Sequence, residues 1–271
     1  MLSNGDYSFN PGSDFQDLAQ GETRDVTFTV EVEDDNGATS QADVTITVTG
    51  TNDGPVAQTV TNVAVEDGAI VNGTLIHSDV DTLDTHTYSL ISNTAEGSAT
   101  VLPNGDYRFD PGTDFQNLAQ GETRDVIFTY EVEDSNGLTS QADVTVRVTG
   151  NNDGPVAQTA TNTAVEDGAA VNGTLVHTDV DILDTHTYSL ITDTVEGTAT
   201  VSPNGNYSFD PGADFQDLAQ GETRDVTFTY EVEDNNGATS RADVTITVTG
   251  TNDIPMAQAC LLYTSPSPRD S

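Results

Sequence analysis

The sequence predicts an all-β protein made of tandem, seven-stranded antiparallel β-sandwiches. Three observations carry this expectation. Val, Thr, Ile, Phe and Tyr recur in short runs that alternate apolar with polar residues, the period of a half-buried strand. Turn signals interrupt the runs roughly every 8–12 residues, as in a sandwich. The whole pattern then repeats. NGDYSFNPGSDFQDLAQGETRDVTF begins at Asn4, NGDYRFDPGTDFQNLAQGETRDVIF at Asn104 and NGNYSFDPGADFQDLAQGETRDVTF at Asn204, a period of 100 residues. That length suits one autonomous domain and is too long for a solenoid coil.

Within one repeat the strands are expected over 58–65, 71–77, 86–91, 98–102, 106–109, 126–133 and 140–149. The last two are the clearest. Val126, Phe128, Tyr130 and Val132 share one face, with Thr129, Glu131 and Glu133 on the other; Ala142, Val144, Val146 and Val148 form the matching face. Phe115 and Leu118 in DFQNLAQGE suggest a short helical turn plugging one end. Each repeat closes at VTGTNDGPVA or VTGNNDGPVA, where proline ends the strand and the next domain starts without a tether. The chain therefore divides into a half domain over 1–53, complete domains over 54–153 and 154–253, and the start of another over 254–259.

Both ends depart from the repeat. Met1-Leu2-Ser3 aligns with Val101-Leu102-Pro103, in mid-repeat, as at a gene-calling edge. The tail over 260–271 matches no part of the repeat and reads as a translated sequencing adapter. It holds Cys260, the only cysteine, so the repeats have neither disulfides nor thiolate metal sites.

The formal net charge is −38, and all seven basic residues are arginine. No cationic patch is available for nucleic acid or for an anionic membrane surface. No apolar stretch is long enough to span a bilayer, and no basic start precedes an apolar core as in a signal peptide.

The acids are concentrated in connections. GTLIHSDVDTLDTHTYSL (73–90) crowds Asp79, Asp81 and Asp84 together, and GTLVHTDVDILDTHTYSL (173–190) repeats them as Asp179, Asp181 and Asp184. Sandwich strands run up and down one axis, so successive connections alternate between two poles. This parity sends Glu66, Glu122, Asn152 and Asp153 to the bottom of one domain. It sends Asp179, Asp181 and Asp234 to the top of the next, at a shared junction. The preceding junction gathers Glu22, Asn52, Asp53, Asp79, Asp81 and Asp134. So many carboxylates repel unless a cation lies between them. A hard divalent ion with six to eight oxygen ligands fits, and Ca2+ tolerates irregular geometry better than magnesium.

Turn chemistry is the plainer reading of Asp and Asn here, and it is preferred for Asp84 and Asp184. An EF-hand is excluded, because Leu83 and Leu183 occupy the third ligand position. His77, His86, His177 and His186 are read as strand-edge residues, since no cysteine or fixed partner suggests zinc. Asn72 and Asn172 match a glycosylation acceptor but are better read as turns. No nucleophile-and-base arrangement recurs with the domains, so no enzyme is expected.

VEDGAIVNGTLIHSDVDTLDTHTYSL, followed by YEVEDSNG and TVTGTNDGPVA, resembles the cadherin-like VCBS repeats of large bacterial surface and secreted adhesins, of the RTX and Bap biofilm type. The resemblance covers Asn4 to about Ala259. It implies an Ig-like, cadherin-like sandwich outside the cell or on its surface. It implies calcium ligands at Glu66 and Glu166, at Asn52-Asp53 and Asn152-Asp153, at Asp79/Asp81 and Asp179/Asp181, and at Asp134 and Asp234. LAQGE stands where cadherins carry Leu-Asp-Arg-Glu, and Asn-Asp-Gly-Pro stands where they prefer a second asparagine. The expected function is a calcium-stiffened stalk for cell adhesion or biofilm formation, each repeat partnering its neighbours. Cell-surface glycans or proteins would be bound through other parts of the protein. The alternative is that each repeat is itself a glycan- or cell-surface-binding module. Near-identity of the repeats and the lack of an exposed aromatic platform favour the stalk.

Deleting 260–271 is expected to leave the melting temperature and the calcium response unchanged, as thermal melts with and without calcium will test. A large loss of stability would show the tail to be part of the fold.

Overall fold

A computed structural model describes residues 5–255; the first four residues, the tail over 260–271 and most of 254–259 lie outside the described residues. The chain divides into two compact units, Met1–Asp153 with Asp181–Leu183, and Gly154–Val180 with Asp184–Ser271. Among the described residues every regular element is a strand.

The first unit opens on an antiparallel hairpin, β1 (Thr23–Glu33) and β2 (Thr39–Thr49). Nine strands follow: β3 (Val56–Gln58), β4 (Val60–Val65), β5 (Val71–Thr74), β6 (Ile76–Ser78), β7 (His86–Ser92), β8 (Ser98–Val101), β9 (Asp106–Asp110), β10 (Thr123–Asp134) and β11 (Thr139–Thr149). One sheet has the order β4-β11-β10-β7 and the facing sheet β5-β9-β8, while β3 and β6 form a short pair of their own. All pairings are antiparallel except β4 with β11, where Val60–Val65 runs parallel to Val144–Thr149. The second unit repeats this arrangement in β12 (Val156–Ala157), β13 (Ala160–Val165), β14 (Val171–Thr174), β15 (His177–Thr178), β16 (His186–Thr192), β17 (Thr198–Val201), β18 (Asn206–Asp210), β19 (Thr223–Asp234) and β20 (Thr239–Thr249).

Period-two patterning builds the core as expected. Val126, Phe128, Tyr130 and Val132 of β10 are buried, and so are Val144, Val146 and Val148 of β11. Tyr107 and Phe109 of β9 close the cluster from the other sheet. Each such side chain contributes about 1.5–3 kcal/mol on burial. Phe115 and Leu118 plug the end of the core, but as a turn and not a helix: the Leu118 N–H donates to the Phe115 carbonyl at 2.9 Å.

Two expected strands are broken in two. The run over 58–65 splits at Thr59, so that its start pairs with β6 and its end with β11. The run over 71–77 splits at Leu75, whose N–H donates instead to the Gly105 carbonyl at 2.8 Å. A buried hydroxyl fastens both kinks. Tyr130 Oη approaches the Gln58 carbonyl at 2.7 Å and the Ile76 carbonyl at 2.6 Å, and accepts the Gln58 N–H at 3.1 Å. At Leu75 the in/out period continues across the break, so alternation alone could not reveal it; at Thr59 the period slips by one residue, Gln58 and Thr59 both being exposed between the half-buried Ala57 and Val60.

Tyr130→Phe is expected to destabilise the first unit by about 1–3 kcal/mol, because it strands part-buried backbone groups without creating a cavity. Urea denaturation will measure this; an unchanged midpoint would show the kinks to be held by packing alone.

Candidate metal centre

At the linker after β2, turn chemistry places the first group of acids. Asp134 ends β10 and caps the next turn: its Oδ1 accepts the N–H groups of Asn136 and Leu138, each at 2.9 Å. Gly137 makes that turn possible, with φ of 92°, a conformation that side chains disfavour. Asp134 Oδ2 accepts Asn52 Nδ2 at 2.9 Å, and Asn136 Nδ2 donates to Asn52 Oδ1 at 2.7 Å and to Asp84 Oδ2 at 3.1 Å. Asp79, Asp84 and Asp134 each bring a carboxylate oxygen within 4.8 Å of the others. Asp79 is held on both oxygens, Oδ1 accepting the Asp81 N–H at 3.0 Å and Oδ2 lying 2.8 Å from His86 Nε2. Asp81 turns towards the linker instead, where its Oδ2 accepts the Asp53 N–H at 2.7 Å.

The other end of the first unit carries a second group. Glu66 follows β4, and its Oε1 accepts the Asn151 N–H at 2.7 Å. Glu66, Asp67 and Asp153 have carboxylate oxygens within 4.8 Å of one another. The Asp153 N–H donates to Asp181 Oδ2 at 2.8 Å, and Asn152 lies half-buried in the same linker. The second unit repeats both groups, as Asp179, Asp184 and Asp234 and as Glu166, Asp167 and Asp253.

The electrostatics of these groups are unfavourable as they stand. Glu66 and Asp81 are each 1% exposed. Burial pushes the Glu66 carboxyl up; the Asn151 N–H opposes this, while the charges of Asp153, Asp181 and Asp67 reinforce it. Burial likewise pushes Asp81 up, opposed by the Asp53 N–H and reinforced by Asp53, Asp79 and Asp84. Burial also raises Asp134, but hydrogen bonds from Asn52, Leu138, Asn136 and Gly137 outweigh it and hold that carboxyl below its usual value. Glu66 Oε2, Glu166 Oε2 and Asp81 Oδ1 are buried with no hydrogen-bond partner. Such atoms are expensive unless something positive meets them. Among the described residues no arginine hydrogen-bonds them; Arg124 pairs with Glu96 and Arg147 with Asp125. An all-oxygen donor set with orphaned buried carboxylate oxygens fits a hard divalent cation.

Most of the expected residues thus lie in these groups: Glu66, Asp153 and Asp181 at one, and Asn52, Asp53, Asp79, Asp81 and Asp134 at the other. Glu22 and Glu122 do not. Each folds back on its own turn, Glu122 Oε2 accepting the Ala119 N–H at 3.3 Å and Glu22 Oε2 the Ala19 N–H at 3.2 Å. Asp67 and Asp84 join the groups although sequence reasoning passed over the first and preferred a turn for the second. The signal for Asp84 was present in its identical repetition at Asp184.

The sequence model of the bacterial cadherin-like domain matches residues 52–150 and again 152–250. The chain belongs to this family. No curated protein sequence matches it. Among solved structures, this cadherin-like chain is similar to protocadherin gamma B2 extracellular cadherin domains 1–5, with a TM-score of 0.58 at 17% identity over 85% of this chain and 46% of that one. It is similar to mouse cadherin-23 EC22–24, with a TM-score of 0.54 at 17% identity over 83% of this chain and 74% of that one. It also resembles the protocadherin gammaB4 extracellular domain, with a TM-score of 0.51 at 17% identity over 84% of this chain, and spans only 40% of that domain. At such identities the likeness establishes the cadherin-like fold.

In chelator at neutral pH, Glu66→Gln is expected to raise the melting temperature of this cadherin-like chain. It removes a buried charge repelled by Asp153, Asp181 and Asp67, and keeps an oxygen for the Asn151 N–H. A lower melting temperature in chelator would show that the charge is already compensated.

Proposed function

We propose that this chain is part of the calcium-stiffened repeat stalk of a bacterial extracellular adhesin of the VCBS type, supporting cell adhesion or biofilm formation. The observation that carries this reading is the set of orphaned buried oxygens, Glu66 Oε2, Asp81 Oδ1 and Glu166 Oε2, beside clustered acids. Membership of the bacterial cadherin-like family supports it as well. Calcium supplies two positive charges and an oxygen-seeking shell of about six to eight ligands. Asn52, Asp53, Asp79, Asp81, Asp84 and Asp134 would hold it at the first linker. Glu66, Asp67, Asn152, Asp153 and Asp181 would do so at the next, with Asp179, Asp184 and Asp234 repeating the first group.

The stiffening follows from which backbone the acids grip. The Asn52-Asp53 linker is tied by side chains of the repeat that follows it, Asp134 and Asp81. Hydrogen bonds between acids and a short linker are weak braces while the acids repel. A cation that converts the repulsion to attraction makes the same contacts cooperative and limits the angles the linker can adopt. Glu22 and Glu122 lie outside the three-acid clusters on which this reading rests, each placing Oε2 on its own LAQGE turn.

Calcium is expected to raise the melting temperature of the full chain, adding about 2.7 kcal/mol at a hundredfold excess over Kd. The Kd is expected at about 0.1–1 mM, as in other extracellular modules. Glu66→Gln should then reverse sign, stabilising in chelator and destabilising in calcium. Small-angle scattering should show a narrower distance distribution in calcium. The combined Asp79→Ala, Asp81→Ala, Asp179→Ala and Asp181→Ala variant should lose that response while staying folded. Wild-type melting curves that superimpose in calcium and chelator would overturn the proposal.

A further inference from the structure

We propose that His86, and His186 in the second unit, are positioning residues that aim the cation-binding carboxylates of Asp79 and Asp179; the inference rests on reading these acids as a calcium site. His86 Nε2 lies 2.8 Å from Asp79 Oδ2 and His186 Nε2 2.7 Å from Asp179 Oδ2, with the histidines 11% and the aspartates 4% exposed. An ionised carboxylate offers only lone pairs, so Nε2 carries the proton and donates. With Oδ1 accepting the Asp81 N–H, both Asp79 oxygens are tethered. Each retains a lone pair for an ion. Free rotation of this side chain is lost before any ion arrives.

The imidazole is itself held from the core. The His77 and His86 rings pack with centroids 4.0 Å apart, and His77 Nδ1 is hydrogen-bonded to the Tyr88 hydroxyl. Tyr88 packs on Tyr130 at 6.2 Å, and Tyr130 is the residue that fastens the two strand kinks. The second unit reproduces each link: His177 on His186 at 3.9 Å, Tyr188 on Tyr230 at 6.1 Å, and Tyr230 Oη 2.7 Å from the Gln158 carbonyl. His86 also stands directly across from Asp134 in the strand register, as His186 does from Asp234, so the donor sits on the strand end that bears another acid of the same group. An imidazole can donate without bringing a charge. Lysine or arginine in its place would compete with the cation for the carboxylate.

The test is a calorimetric titration of the full chain with calcium chloride, for three proteins: wild type, His86→Phe with His186→Phe, and His86→Gln with His186→Gln. Phenylalanine keeps a ring against His77 but cannot donate; glutamine keeps a donor. Loss of a hydrogen bond behind a metal ligand weakens binding about 10–100-fold. The phenylalanine pair should show that loss, the glutamine pair should restore most of the affinity, and all three should melt alike in chelator. A leucine pair replaces the phenylalanine pair if the latter does not fold. Wild-type affinity in the non-donating pair overturns the positioning role alone, as does a glutamine pair as weak as the phenylalanine pair. Absence of calcium binding by the wild type overturns the calcium reading itself and this role with it.

Discussion

Glu66 and Asp81 are each 1% exposed, and each keeps a carboxylate oxygen that no hydrogen-bond donor reaches. In a chain with no lysine, where Arg124 pairs with Glu96 and Arg147 with Asp125, this is the constraint around which the repeat ends are organised. The sandwich core is otherwise ordinary. Valines, phenylalanines and tyrosines interdigitate between two sheets and leave little to explain. Folding draws its driving force from that core and carries the electrostatic penalty at the ends. The ends are therefore where a ligand has most to offer.

The same atoms serve structure and charge. Asp134 shows how the two are reconciled within one side chain. Its Oδ1 caps a turn through two N–H groups, while its Oδ2 faces Asn52 and the other acids. Turn formation and cation binding are thus not competing readings of an aspartate at a strand end. The backbone donors lower the cost of keeping Asp134 ionised. Glu66, with one N–H for its buried carboxylate, has less of this help.

The architecture was legible where periodicity speaks directly. Alternation identified the buried faces of β10 and β11, and the 100-residue repeat identified the period. It was not legible at Leu75, which interrupts pairing without interrupting the in/out pattern; at Thr59 the pattern itself slips, with two consecutive polar residues, Gln58 and Thr59, both exposed. Parity of the connections placed Glu66 with Asp153 and Asp79 with Asp134, which do lie together, but Asp179 and Asp234 cluster with Asp184 in the second unit while Glu66 clusters with Asp67 and Asp153 in the first. Parity cannot see rotamers, so it does not say that Glu122 will place Oε2 on the Ala119 N–H. Spacing showed the histidines but not their reach: nothing in a nine-residue separation says that His86 will lie against Asp79.

The parallel pairing of β4 with β11 has a kinetic consequence. Val60–Val65 cannot find its partner until Thr139–Thr149 has left the ribosome, so each repeat closes only when its last strand is made. Long-range pairing of this kind is slow. Meanwhile a near-copy of the missing strand has already emerged: Thr39–Thr49 differs from Thr139–Thr149 only at Ile46/Val146 and Thr47/Arg147. A nascent first strand therefore meets the wrong, earlier partner before the right one, the condition under which tandem repeats exchange strands with their neighbours. The Tyr130 hydroxyl, which holds Gln58 and Ile76 together, lies on β10 and so is made before the final strand.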